Sequence, residues 1–279
     1  MAPPPPASMP LQQRLLQLAQ TLQFAWFGGH LTLLFCTLRY SLSWLTFNYY
    51  SRMARFSYRL AFVAAAVTYG IVVYKAYRAR VRAGKQGGAL SMIADENVQY
   101  LIMALIWLSN SLQIPLALCP FAVYSVFHVL TYTRTNLLPV LQPQPPAAEG
   151  AKPNQSALSN TIGRFVKEYY DTSMTLVAVL EIALWFRVLG SALIFSRGSW
   201  FLLVFYTAFF RARISQSTFV QSAIHQLTAR ADALVQQQST PPQARQAWET
   251  VKGISKQAFD ATDLNKYAGG AAAGPKKAQ

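Results

Sequence analysis

The chain has 279 residues, of which 53% are hydrophobic and only 13% are charged, with a mean hydropathy of +0.21. Soluble domains of this length are less apolar, so the composition indicates a membrane protein. Its 25 basic and 10 acidic residues give a formal net charge of +15. Because the basic residues cluster beside apolar segments and the chain has no RNP or zinc-finger signature, the predicted partners are the lipid bilayer and its anionic lipids, and nucleic acid is excluded.

In chain order, residues 1–23 form a Pro-rich tail and a short helix with leucines at helical spacing. No basic run precedes the first apolar stretch, so no cleaved signal peptide is predicted. A membrane domain is then expected over residues 24–210. Its segments are predicted at about 24–47, 60–77, 98–113, 116–133, 173–195 and 200–210, with a flexible loop at 142–160.

The middle of this domain contains 37 residues, Asn97 to Thr133, without any Asp, Glu, Lys or Arg. One helix of that length would measure about 55 Å, against a hydrocarbon core of about 30 Å. Ser109, Pro115 and Pro120 predict a reversal near the middle, and Asp95 is predicted to cap the first arm. The expected fold is therefore all-α: a polytopic membrane protein built from short helical hairpins, with amphipathic helices at its C-terminus.

The predicted basic membrane flank decides the orientation. It consists of Lys75, Arg78, Arg80, Arg82, Lys85, Arg211 and Arg213. The positive-inside rule places this flank, both termini and the loop at 142–160 in the cytosol. Arg52, Arg55 and Arg59 would then face the lumen. Either the first segment is a shallow re-entrant element, or these arginines extend to lipid headgroups.

Intramembrane charge suggests an alternative function, a small transporter or channel that uses Glu181, Arg187 and His128. On one helix Glu181 and Arg187 lie about 240° apart and cannot pair. This leaves His128 and Arg39 as candidate partners for Glu181, unless both charges simply lie near an interface. The histidines lack a second ligand at i+3 or i+4, and no nucleophile or nucleotide motif is present. No catalytic, cofactor-binding or metal site is predicted, and the protein is not expected to be an enzyme.

Residues 211–267 are predicted to form cytosolic amphipathic helices, which lie either on the membrane or on another protein. The predicted membrane-binding residues are Val220, Ile224, Leu227, Leu234, Trp248, Val251 and Phe259. Residues 268–279 form a flexible tail, in which Lys276 and Lys277 match a dilysine retrieval signal for the endoplasmic reticulum.

Three sequence runs carry a resemblance to a known family. They begin at Asp95-Glu96-Asn97, Ser109-Asn110-Ser111 and Phe127-His128-Val129, and the last continues to Thr133. The chain resembles the transmembrane protein 33 family of the endoplasmic reticulum and nuclear envelope, whose fungal branch includes pore membrane proteins. A looser match ends the aromatic run at Arg211-Ala212, where the family has Arg-Tyr.

The resemblance implies a non-enzymatic protein that shapes or stabilises curved endoplasmic reticulum and nuclear envelope membrane. It also implies association with nuclear pore complexes, whose assembly or distribution the protein would aid. The implied partners are nuclear pore membrane proteins and tubule-shaping proteins. The implied location is the endoplasmic reticulum membrane and nuclear envelope, with enrichment at pores.

Overall fold

A computed structural model describes residues 9–84, 92–143 and 156–262, and within these ranges the regular elements are all helices. Contacts divide the chain into two units, residues 1–220 and 221–279. The helices, numbered in chain order, are α1 Leu11–Ala19, α2 Leu22–Leu45, α3 Arg52–Arg82, α4 Glu96–Ser109, α5 Leu118–Tyr132, α6 Leu138–Leu141, α7 Ala157–Leu193, α8 Ser199–Gln216, α9 Thr218–Val235 and α10 Pro242–Ala261. A 3-10 turn, Pro115–Ala117, precedes α5, and a π-helical segment, Thr133–Leu137, joins α5 to α6.

Side-chain caps begin five of these helices. The capping residues each accept a hydrogen bond from a backbone N–H of the first turn, at 2.9–3.3 Å, and they are Thr21, Ser51, Asp95, Ser156 and Ser217. Each cap satisfies one of the N–H groups that have no partner within the helix. The predicted cap at Asp95 is confirmed. The helix ends at Ser109, within the predicted reversal and four residues before the predicted end of this segment at residue 113.

Within the described ranges, three helical regions are long and apolar enough to cross a membrane: Arg52–Arg82, Pro115–Leu141 and Ala157–Leu193. The chain is an all-α polytopic membrane protein, as predicted. The helix at the second predicted segment is longer than expected, because Ser51 starts it eight residues earlier and it then continues through the basic cluster to Arg82. Arg52, Arg55 and Arg59 therefore lie, exposed, in the first turns of α3 and not in a loop.

The first unit is a bundle with an aromatic core. α2 packs on α3 and α5, α4 packs on α3 and α8, and α7 packs on α5 and α8. The buried core includes Tyr58, Phe62, Trp107, Phe121 and Tyr206. Ring pairs such as Phe62 and Phe121, with centroids 5.6 Å apart and edge to face, provide packing energy beyond the apolar area that they bury.

Two polar contacts place three interhelical turns at one end of the bundle. Ile114 N donates to Tyr58 Oη at 3.2 Å, which brings the α4–α5 connection to the start of α3. Asn110 Nδ2 donates to the carbonyl oxygen of Gly198 at 3.2 Å, which adds the turn between α7 and α8. Gly198 has φ of 78°, a conformation that glycine adopts without a Cβ clash. The basic end of α3 lies at the opposite end of the bundle.

Gly29 allows α2 and α3 to approach closely. A Cβ at this position would lie 2.5 Å from Thr68 Cγ2, whereas a Cβ at the neighbouring Gly28 would meet nothing within 4 Å. Small residues of this kind let membrane helices pack backbone to backbone.

We expect Gly29→Val to destabilise the α2–α3 hairpin by about 1–3 kcal/mol, because the larger side chain overpacks the contact with Thr68. Thermal unfolding in detergent should show a lowered Tm for Gly29→Val. Gly28→Val is the matched control and should unfold near the wild-type Tm. Equal Tm values for the two variants would contradict the close approach.

Candidate functional site

A buried ion pair joins α7 to α8 inside the membrane domain. Arg213 Nε lies 3.2 Å from both carboxylate oxygens of Glu181, and the two side chains are 5% and 1% exposed. Charges at membrane depth are costly, so such residues pair with one another. Neither side chain can therefore be removed alone without leaving an uncompensated charge.

Tyrosines and a second carboxylate complete this cluster. Tyr100 of α4 donates a hydrogen bond to Glu181 Oε1, and Tyr206 donates to the carbonyl oxygen of Glu181 at 3.1 Å. Arg213 Nη1 lies 3.3 Å from Glu96, which is half exposed. Arg213 Nη2 donates to Tyr124 of α5 at 3.5 Å. The ion pair thus connects four helices, α4, α5, α7 and α8.

This geometry corrects two predictions. Glu181 meets neither His128 nor Arg39, because its partner Arg213 comes from the end of α8, 32 residues later in the chain. Arg213 is accordingly not part of the basic membrane flank, since its guanidinium points into the bundle and is buried. Helical spacing excluded a pair with Arg187, but no local pattern pointed to Arg213 or to Tyr100.

The three residues of the transporter hypothesis do not converge on one site. Glu181 binds Arg213, and Arg187 donates to Ser191 on its own helix. His128 instead packs beside His30 and Trp26, with ring centroids 4.7 and 4.9 Å away. The cavity next to Glu181 has room of about 10 Å³ for water, which is at most one molecule.

The histidine pair lies in a separate buried cluster between α2 and α5. His30 Nδ1 is 2.9 Å from Ser125 Oγ. Among the described residues, no group of three or more His, Cys, Asp or Glu side chains could hold a metal ion. The two cysteines are free; Cys36 is buried and Cys119 is half-buried.

Most of the basic flank occupies the last turns of α3, whereas Arg211 lies half-buried on α8. Lys75, Arg78 and Arg82 are exposed, and Tyr74 and Tyr77 are exposed among them. Arg80 also forms an ion pair of 3.5 Å with Asp95, the cap of α4. Aromatic and basic side chains together are typical of a membrane–water interface. Lys85, the last residue of the predicted cluster, lies outside the described residues.

Within the second unit, α9 and α10 are joined through a polar contact. Trp248 Nε1 donates to Asp232 Oδ1 at 2.6 Å, and Lys252 Nζ donates to the same oxygen at 2.9 Å. The Lys252 amine and the Trp248 indole lower the pKa of the Asp232 carboxyl. The Lys252 amine bonds to both Asp232 and Glu249, and these bonds raise the pKa of Lys252. Trp248, one of the predicted membrane-binding residues, therefore also connects the two helices.

The apolar residues of this hairpin remain accessible on both helices. Leu227, Leu234, Val251 and Phe259 are exposed, in positions where each could contact lipid. Ile254, which is not among the predicted membrane-binding residues, is 61% exposed. Val220 is fully buried in the first unit and Ile224 is half-buried, so Val220 does not present its side chain to a membrane. Lys276 and Lys277 lie outside the described residues.

We expect the packing of α4, α5, α7 and α8 to depend on the Glu181–Arg213 pair. Arg213→Met should lower the free energy of unfolding by about 3–5 kcal/mol, because it leaves Glu181 buried and unpaired. The double variant Glu181→Gln, Arg213→Met should recover most of that loss. Thermal unfolding in detergent measures the stability of the single and the double variant. Arg187→Gln, an exposed arginine on α7, is the control and should unfold within about 0.5 kcal/mol of wild type.

We expect acid to loosen the contact between α9 and α10. Because the folded-state pKa of Asp232 is lowered, its contribution is present above the unfolded value of about 3.9 and is lost as pH falls through the folded value. Trp248 is the only tryptophan of a fragment covering residues 211–267. Its fluorescence should change below about pH 4.

Asp232→Asn should remove this acid transition, since the asparagine does not titrate. Glu249→Gln should keep it, because Glu249 contacts Lys252 and not Trp248. A transition that persists unchanged in Asp232→Asn would assign it to another carboxyl.

Comparison with known proteins gives a consistent result over nearly the whole chain. The family model described as Transmembrane protein 33/Nucleoporin POM33 matches residues 4–259. The chain is 56% identical to Nucleoporin POM33 of Chaetomium thermophilum, covering 99% of both chains. It is 34% identical to Tetra-spanning protein 1 of Schizosaccharomyces pombe, covering 87% of this chain and 86% of that protein. It is 29% identical to Pore membrane protein of 33 kDa of Saccharomyces cerevisiae, covering 87% and 85%. No solved structure matches the chain.

Proposed function

Since the chain belongs to the Transmembrane protein 33/Nucleoporin POM33 family, we propose that it is a nuclear pore-associated protein of the endoplasmic reticulum and nuclear envelope that favours curved membrane. The proposed role is non-enzymatic. The names of the relatives from Chaetomium thermophilum and Saccharomyces cerevisiae support the pore association. The curvature role rests on surfaces of this chain.

One observation carries the curvature proposal: the exposed apolar residues of the α9–α10 hairpin. Leu234 is 62% exposed, and Leu227, Val251 and Ile254 are also exposed. Lys256 and Arg245 supply positive charge on the same hairpin. An amphipathic helix of this kind lies in the headgroup plane, with its apolar side in the acyl boundary and its basic residues near anionic lipid.

Insertion on one side of a bilayer would expand one leaflet more than the other. Because the positive-inside rule assigns the basic flank to the cytosol, we place both termini there, and the expanded leaflet is then the cytosolic one. The membrane would bend toward the cytosol. Such curvature suits tubules and the sharply bent membrane at which a nuclear pore joins the two envelope membranes.

We expect the full-length protein, reconstituted at high density, to convert liposomes that contain anionic lipid into tubules or smaller vesicles. Val251→Asp with Ile254→Asp should abolish this remodelling, because it places charge where apolar area would be buried. Gln246→Asp with Gln257→Asp adds the same charge at exposed polar positions of α10 and is the matched control. Electron microscopy of the vesicles gives the measurement, and unchanged vesicles with the wild-type protein would rule out the curvature role.

The pore association is measured separately in cells. We expect proximity labelling by the tagged protein to recover nuclear pore membrane proteins and tubule-shaping proteins. Imaging should show label in the endoplasmic reticulum and at the nuclear rim, enriched at pores. Labelling spread evenly over sheets and tubules, with no pore protein among the neighbours, would contradict this association.

A further inference from the structure

A groove of about 430 Å³ lies between α2 and α3. This volume falls within the range of about 300–1,000 Å³ that is typical of ligand sites. Its walls are mainly apolar and include Leu31, Phe35, Phe56 and Leu60. Of the residues that line it, Arg39 alone is charged. The groove thus combines space for an apolar chain with a single cation.

Arg39 lacks a negatively charged partner among the residues that the structure describes. Its Nη1 donates to Ser43 Oγ at 2.6 Å, but no carboxylate of the described residues lies within ion-pair distance of it. Residues 1–94 contain no Asp or Glu at all. A guanidinium in an apolar membrane segment requires a counter-charge, and phosphate matches its planar set of N–H donors.

The neighbouring surface adds positive charge at headgroup level. Arg52, Arg55 and Arg59 are exposed in the first turns of α3, which α2 approaches through the same hairpin turn. Among the described residues they too have no acidic partner. Exposed Trp44 and Tyr50 mark the membrane interface at this end. Arg39 lies five residues before Trp44, or about 7.5 Å deeper along α2, within reach of a lipid phosphate.

We propose that the groove between α2 and α3 binds one anionic glycerophospholipid. One acyl chain lies between Phe35 and Phe56, and the phosphate binds Arg39. Arg52, Arg55 and Arg59 raise the local positive potential, which favours a headgroup with net negative charge. The site also explains why these arginines lie at the end of the bundle opposite the basic flank, where the positive-inside rule disfavours them: they bind lipid of that leaflet. This inference is independent of pore association and curvature.

The test uses the full-length protein in detergent and native mass spectrometry. The protein is titrated with phosphatidic acid and with phosphatidylcholine that has the same acyl chains. We expect wild type to retain phosphatidic acid in preference to phosphatidylcholine. Arg39→Gln should weaken this retention at least about tenfold, and the number of phosphatidic acid molecules bound at saturation should fall by one.

A groove-filling variant and a matched charge control separate the site from general electrostatics. Thr32→Phe keeps every charge but occupies the groove, so it should also lose one bound lipid. Arg197→Gln removes an exposed arginine at the same end of the bundle, in the turn between α7 and α8, and should bind as wild type does. Helix content measured by circular dichroism confirms that each variant is folded.

Four outcomes would overturn the proposal. Equal retention of the two lipids by wild type would show that the net charge of the headgroup does not determine binding. Full retention by Arg39→Gln, or an equal loss in Arg197→Gln, would remove the role of this arginine. Competition by inorganic phosphate together with normal binding by Thr32→Phe would identify a free phosphate site without an acyl chain.

Discussion

The membrane domain depends on one requirement: the carboxylate of Glu181 and the guanidinium of Arg213 must remain together away from water. Tyr100 of α4 and Tyr124 of α5 bind the same pair, so four helices share one polar centre. Apolar contacts between membrane helices gain little over contacts with lipid, whereas a separated ion pair at this depth is costly. The pair therefore specifies how α8 lies against α4 and α7, and the aromatic core packs around that arrangement.

Local features of this fold could be predicted from the sequence. The Asp95 cap and the apolar reversal near Ser109 follow from residue types within a few positions of one another. The partners of Glu181 could not be predicted in this way, because helical spacing shows which residues share a face of one helix but not which helices meet. The limits of α3 were also missed, since Arg52, Arg55 and Arg59 interrupt the apolar pattern without interrupting the helix.

The C-terminal hairpin likewise has some features that the sequence predicted and others that it did not. Periodicity predicted an apolar side on each helix, and Leu227, Leu234, Val251 and Phe259 are indeed exposed. Periodicity did not predict that Asp232 would accept hydrogen bonds from Trp248 and Lys252, because that contact joins two helices across a turn. The ring of Trp248, predicted to bind the membrane, thus has a hydrogen-bond partner within the hairpin.

The length of α7 has a consequence for what can approach this membrane. Its 37 residues measure about 55 Å, whereas the hydrocarbon core is about 30 Å thick. Its N-terminal portion therefore extends beyond the hydrocarbon core, where α7 packs on α5 and on the π-helical segment Thr133–Leu137. In that segment Arg134 lies against Gly163. At the same end of the bundle, Arg14 of α1 donates a 2.7 Å hydrogen bond to the carbonyl oxygen of Val140 in α6. We therefore expect this helical extension to limit, by steric hindrance, how closely another membrane or a large flat assembly can approach the lipid beside α7.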